Sequence, residues 1–81
     1  MFNPTDDTKA TQQRTLLQAL RLGRVSTIHA REALGIAHPA GRVLELRVQG
    51  YRIETLASMV FDAQGRPHRV ASYVLGVEVA A

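Results

Sequence analysis

The segment from Ser26 to Gly50 constrains the fold more than any other part of this chain. Its sequence, STIHAREALGIAHPAGRVLELRVQG, holds two short helical patterns on either side of Gly35. A side-chain oxygen of Ser26 or Thr27 can cap the first helix, and Gly35 can end it because glycine tolerates the left-handed conformation. Pro39 suits the first turn of the second helix, where its missing N–H is not needed. The segment therefore predicts two short helices joined by a tight turn.

The second of these helices is predicted to have one apolar and one polar side. At about 100° per residue, Val43 lies on the same side as four other residues: Pro39, Ala40, Leu46 and Gly50. The opposite side carries residues spaced i, i+4, i+7 and i+11, which we call the polar stripe: His38, Arg42, Glu45 and Gln49. The polar stripe can face a groove-shaped partner, or it can be an ordinary solvated side of the helix.

Three other positions on the same helix fall outside this division. Arg47 lies within the apolar side, where a charged group needs a partner, so we expect a structural Arg47 that pairs with Glu32. Leu44 and Val48 lie on the flank, four residues apart. They belong either to the rim of the core or to an exposed patch for a partner.

The sequence before and after this segment predicts one more helix and a β-hairpin. Residues 10–22 form the first helix, whose apolar stripe consists of Leu16, Leu17 and Leu20 and is extended one turn back by Gln13. Residues 51–62 and 68–75 are rich in strand-forming types, and the turn between them contains Gly65, which can adopt a positive φ. The chain order is thus three helices followed by a β-hairpin.

Composition limits the class of protein. The 81 residues, of which 46% are hydrophobic, suffice for one domain with a single core and are too apolar for a disordered segment. The absence of Cys excludes disulfides and thiolate metal sites. No apolar run approaches the roughly 18 residues of a membrane span, and the polar start MFNPTDDTK does not resemble a signal peptide. We therefore expect a cytoplasmic protein without a membrane segment.

The sequence contains no recognisable catalytic or metal-binding pattern. It has no glycine-rich phosphate loop after a strand and no nucleophile elbow. His29, His38 and His68 lack the spacing of a metal site, which normally needs three or four ligands. We expect no enzyme activity, no metal and no cofactor.

The charge pattern favours an anionic partner. The net charge is +3, and nine of the ten basic residues are Arg. The planar guanidinium suits phosphate and guanine better than the Lys ammonium does. An Arg-rich genome would produce the same preference for Arg, so the excess of positive charge is the more informative part of this pattern.

Three stretches resemble the family of small prokaryotic and phage-type winged helix-turn-helix domains. They are Leu34-Gly35-Ile36 in the turn, Arg42-Val43-x-x-Leu46-Arg47-x-x-Gly50 on the third helix, and Gly65…Val70-Ala71-x-Tyr73-x-Leu75 in the hairpin. The likeness covers Thr11 to Leu75. It implies an α+β fold for a domain over residues 9–76. The polar start without periodicity, residues 1–8, predicts a flexible N-terminal arm, and residues 77–81 form a C-terminal tail.

The resemblance also implies a function. In such domains the third helix commonly reads the DNA major groove, and the hairpin, or wing, contacts the backbone. On that analogy the residues that contact double-stranded DNA are Thr27, His38, Arg42, Glu45, Gln49, Arg66, His68 and Arg69. The implied protein is a small transcription regulator or an accessory factor of a phage or mobile element, which can act as a homodimer. The alternative is a protein-interaction module that uses the same scaffold.

The spacing around the turn departs from the compact helix-turn-helix pattern. That pattern places apolar residues five and eight positions after Ile36, which here are Gly41 and Leu44. Val43 and Leu46 would pack better, but they require a turn about two residues longer. A compact turn would instead rotate the polar stripe away from the predicted side.

Overall fold

The structure is a computed structural model that describes residues 8–78. Residues 1–7 of the predicted arm and residues 79–81 of the predicted tail lie outside the described residues. The elements in chain order are α1 (Lys9–Leu22), β1 (Val25–Ser26), α2 (Thr27–Glu32), α3 (Pro39–Val48), β2 (Ile53–Phe61) and β3 (Pro67–Leu75). The predicted order of three helices followed by a β-hairpin is confirmed. None of the helices within residues 8–78 has both the length and the apolar character that a membrane crossing requires.

The strands form one antiparallel sheet in the order β1-β3-β2. β2 pairs with β3 from Ile53 opposite Leu75 to Phe61 opposite Pro67. We call this hairpin the wing. β1 is a strand of two residues in which Val25 pairs with Tyr73. The sequence predicted only a link at this position, so β1 is an addition to the predicted fold.

The core lies between the helices and the inner side of the sheet. Its buried apolar residues come from every element and from the turn before α3: Leu16, Leu17, Leu20, Val25, Ala30, Ile36, Val43, Leu46, Ile53 and Tyr73. The predicted apolar stripe of α1 and the predicted core positions Val43 and Leu46 are therefore confirmed. Ala40, which the sequence placed on the apolar side of α3, is exposed.

The connection between α2 and α3 is an extended turn. Gly35 has a φ of +69°, and the N–H of Ile36 donates to the carbonyl of Ala30 at 3.0 Å. The Ile36 side chain is fully buried, and α3 begins only at Pro39. Because Val43 is buried while Leu44 is exposed, the longer of the two predicted turns is confirmed.

Ser26, not Thr27, caps α2. The Ser26 hydroxyl accepts a hydrogen bond from the N–H of His29 at 2.9 Å. The Thr27 hydroxyl instead donates to the carbonyl of Ala71 on β3 at 3.2 Å, and this contact is partly buried. Thr27 therefore joins the start of α2 to the sheet.

Arg47 joins the end of α3 to the start of β2. Its Nε and Nη2 donate to the carbonyl oxygen of Ile53 at 2.9 and 2.6 Å, and Nη2 also donates to Thr55 Oγ1 at 3.0 Å. The predicted structural role of Arg47 is confirmed. Its partner is a backbone carbonyl of β2 and not the carboxylate of Glu32, because the guanidinium extends toward the sheet and not toward α2.

The last described residues lie against α1. Glu78 accepts two hydrogen bonds from the guanidinium of Arg21, at 2.7 and 2.9 Å, and this contact lowers the pKa of the Glu78 carboxyl. Residues 76–78 do not form a strand. An ion pair therefore fixes this part of the predicted tail to the end of α1.

Candidate nucleic-acid interface

The middle of the polar stripe of α3, Arg42 and Glu45, is half-buried against α1, whereas His38 and Gln49 are exposed. Gln13 of α1 donates from Nε2 to Glu45 Oε1 at 2.8 Å, and Gln49 Nε2 donates to Gln13 Oε1 at 2.7 Å. Arg42 Nη2 donates to Glu45 Oε2 at 3.1 Å. The side chains of Arg42 and Glu45 are only 13% and 29% exposed. These groups form a polar network between two helices.

The network leaves one buried donor without a hydrogen bond. Arg42 Nε lies 3.0 Å from Glu45 Oε1, but in the described part of the chain its N–H makes no hydrogen bond. The Coulomb attraction between these two groups remains, since it depends on distance more than on direction. Arg42 is thus held in place chiefly by the Glu45 carboxylate.

The polar stripe is not one continuous open face of α3, because Arg42 and Glu45 are half-buried in its middle. α1 packs on that side, and Gln13, which continues the apolar stripe of α1, supplies polar groups at the contact. Gln13 was the sequence signal for this arrangement, because a polar residue on the inner side of a helix needs a polar partner. His38 remains exposed at the N-terminal end of α3. DNA contact by Arg42, Glu45 and Gln49 stays a prediction, and the packing disfavours it for the first two.

The side of α3 that does face solvent is apolar. It consists of Ala40, Leu44 and Val48, which are spaced four residues apart and which we call the outer face of α3. Leu44 is 60% exposed and Val48 is 81% exposed. Of the two sequence interpretations, the structure selects the exposed patch over the rim of the core.

The tip of the wing is organised by Asp62. Its Oδ1 accepts hydrogen bonds from the N–H groups of Gln64 and Arg66, both at 2.9 Å. Its Oδ2 lies 2.8 Å from His68 Nε2, which must donate because an ionised carboxylate can only accept. The bond from His68 is the main reason that the pKa of Asp62 is lowered, followed by the bond from the N–H of Arg66. His68 therefore shapes the tip of the wing.

The contact between His68 and Asp62 predicts a pH dependence of the tip. The pKa of Asp62 lies below its usual value of 3.8, so its carboxylate stabilises the tip above that pH, and this contribution is lost as the pH falls through the lowered pKa. His68→Ala removes the largest cause, so the pKa of Asp62 should rise toward its usual value. Carboxyl ¹³C shifts measured against pH would show this. His29→Ala, which removes an exposed histidine from α2, is the control.

An unchanged titration midpoint of Asp62 in His68→Ala would show that His68 does not bond this carboxylate in solution. An equal rise in His29→Ala would show that a general change of charge, and not the contact at the tip, sets the pKa.

Two arginines on the wing have no partner. Arg66 and Arg69 are exposed, and neither guanidinium forms a hydrogen bond or an ion pair with any of residues 8–78. Arg66 follows Gly65, whose φ of +77° closes the turn, and Arg69 lies opposite Met59 in the pairing of β2 with β3. Both positive charges are therefore available to an anionic partner.

The comparisons with known proteins identify one family. The family model described as a winged helix-turn-helix domain matches residues 11–78. No curated protein and no solved structure shows significant similarity to the chain. Among the described residues, no three His, Cys, Asp or Glu side chains are grouped closely enough to hold a metal ion.

Proposed function

Because this chain belongs to the winged helix-turn-helix domain family, whose members are typically DNA-binding and not enzymes, we propose that it binds double-stranded DNA as a small transcription regulator. The observation that carries the proposal is the pair of exposed, unpartnered arginines on the wing, Arg66 and Arg69. Guanidinium groups in such a position can neutralise phosphates and release counterions from the duplex. The net charge of +3 acts in the same direction.

We assign the predicted DNA contacts to two groups, according to whether their side chains bond within the domain. Arg66 and Arg69 would lie on phosphates, and exposed His38 would lie at the end of α3 that enters the major groove. Arg42, Glu45, Gln49, Thr27 and His68 make contacts within the domain, so their proposed part is to hold α3 and the wing in position.

A homodimer is the form in which a module of this size would bind one site. A single small module covers roughly 600–1,000 Å² of interface, which gives weak binding, and two copies would double the contact on two half-sites. We place this regulator in the cytoplasm. An accessory role in a phage or mobile element would use the same DNA contacts.

The wing arginines give a direct test of the proposal. Fluorescence anisotropy of a labelled mixed-sequence duplex is measured at several salt concentrations with the wild-type chain and with Arg66→Ala/Arg69→Ala. Binding should weaken log-linearly with salt, and the variant should have a slope that is shallower by about two, because two phosphate contacts are lost. The matched control is Arg14→Ala/Arg24→Ala, which removes the same charge from α1 and from the link before β1.

Two results would count against the proposal. Absence of binding at low salt with tens of micromolar protein would exclude even ordinary non-specific affinity, which is about 10⁻⁴–10⁻⁶ M. An equal change of slope in the two double variants would show that net charge, and not the wing, determines binding.

The outer face of α3 favours a second candidate function. Exposed apolar side chains in a row, such as Leu44 and Val48, also suit a protein partner. On this reading the chain is a protein-interaction module. Loss of partner binding in Leu44→Ala, in a chain that does not bind DNA, would support it.

A further inference from the structure

We propose that α3 reads DNA mainly through apolar contact with thymine methyl groups, made by the outer face of α3. The inference rests on the proposed DNA binding and adds the kind of sequence that is preferred. The two residues that carry it are Leu44, 60% exposed, and Val48, 81% exposed.

The first step is that the long polar side chains of α3 are already engaged. Arg42 and Glu45 belong to the network with α1, and the amide of Gln49 donates to Gln13. Arg47 donates to the carbonyl of Ile53 on β2. To read a base edge by hydrogen bonds, Arg42 and Glu45 would first have to leave these partners, and a partly buried charge would lose its pair. Gln49 and Arg47 are exposed, but part of the hydrogen-bonding capacity of each is already used within the domain.

The second step is that the outer face has the right shape and chemistry for methyl groups. Residues four apart on a helix stand about 5–6 Å from one another, so Leu44 and Val48 form a short apolar ridge. The major groove admits an α-helix, and thymine is the base that presents a methyl group there. Contact between the ridge and these methyls would remove apolar surface from water on both partners.

The third step is that the exposure of the ridge has no explanation within the domain. The predicted core positions of α3, Val43 and Leu46, are buried, and Leu44 and Val48 point to a different side. Neither residue is needed to complete the core of residues 8–78. The unpartnered charges of Arg66 and Arg69 make a nucleic acid the better occupant, because its phosphates would balance them.

The test compares thymine with uracil in the same DNA. A binding site is selected from a pool of random duplexes with the full chain, and is then made again with deoxyuridine at every thymidine position. This change removes the methyl groups and leaves the hydrogen-bonding atoms of each pair in place. Affinity should fall about fourfold for each contacted methyl, or about 15-fold for two. The salt slope should not change.

Variants assign the effect to the ridge. Leu44→Ala/Val48→Ala should reduce the thymine-to-uracil affinity ratio to about one, because the apolar contact is gone. Leu22→Ala, which shortens a 92% exposed leucine at the end of α1, should keep the full ratio. Arg66→Ala/Arg69→Ala should lower the affinity for both duplexes equally, because the two duplexes have the same phosphates.

The outcomes separate this inference from the proposed function. Equal affinity of the wild-type chain for the two duplexes would overturn methyl reading and leave DNA binding intact. A ratio that survives in Leu44→Ala/Val48→Ala would overturn the assignment to α3. Failure to select any duplex would overturn DNA binding and this inference together. If, in that case, the wild-type chain self-associated and Leu44→Ala/Val48→Ala did not, the ridge would be a protein contact.

Discussion

Ile36→Ala is expected to lower the free energy of unfolding by about 2–5 kcal/mol, the range for truncating a buried aliphatic side chain to Ala. Ile36 is fully buried, and it lies in the turn that sets the distance between α2 and α3. The total free energy of unfolding of a domain of this length is roughly 4–12 kcal/mol, so the substitution removes a large share of it. The melting temperature should fall by about 8–40 °C, as measured by circular dichroism.

The matched control is Leu44→Ala. It removes a similar number of carbon atoms from a side chain that is mostly exposed, so the free energy of unfolding should change by no more than about 0.5 kcal/mol. If the two variants melted at the same temperature, Ile36 would not be an anchor of the turn. Wild-type stability of Leu44→Ala would also show that α3 stays folded when Leu44 is substituted to test its contact with thymine methyl groups.

The fold was predictable because its signals are local. Gly35 and Ile36 marked the turn between α2 and α3, and the structure gives them a positive φ and a buried side chain. Gly65 marked the turn of the wing in the same way. β1 carried no such signal. It has two residues, and its pairing depends on Tyr73, which lies 48 positions beyond Val25 in the sequence. A strand this short has no periodicity to read.

The candidate site was predictable on the wing and not on α3. Arg66 and Arg69 follow a turn at the end of a hairpin, where a side chain has few neighbours, so their exposure followed from the local pattern. On α3, helical periodicity shows which residues share a side and not which element covers that side. The polar stripe was identified correctly as a set, but α1 half-buries its two middle residues, Arg42 and Glu45.

The corrected orientation of α3 changes what each side of the helix is expected to do. A side chain that is bonded to α1 adds to the stability of the domain, so its substitution should lower the free energy of unfolding even in the absence of DNA. A side chain on the outer face should affect DNA binding and leave stability almost unchanged. Glu45 and Leu44 are adjacent in sequence and lie on these two different sides, so they give opposite expectations.

Glu45→Ala is accordingly expected to lower the free energy of unfolding by about 1.5–3 kcal/mol. The variant removes the anion next to Arg42 and one partner of Gln13, and the Arg42 side chain, 13% exposed, then keeps a charge without its pair. Loss of a partner in a fully buried pair costs about 3–5 kcal/mol, and the 29% exposure of Glu45 reduces that value here. Urea denaturation of the chain without DNA measures the change.

A double-mutant cycle with Arg42 separates the network from general effects of substitution. Arg42→Ala/Glu45→Ala should cost less than the sum of the two single variants, because the second change removes the charge that the first left unpaired. Glu32→Ala, at an exposed position at the end of α2, is the control and should stay within about 0.5 kcal/mol of wild type. A Glu45→Ala chain of wild-type stability with a changed base preference would restore Glu45 as a reader of DNA and would contradict the packing against α1.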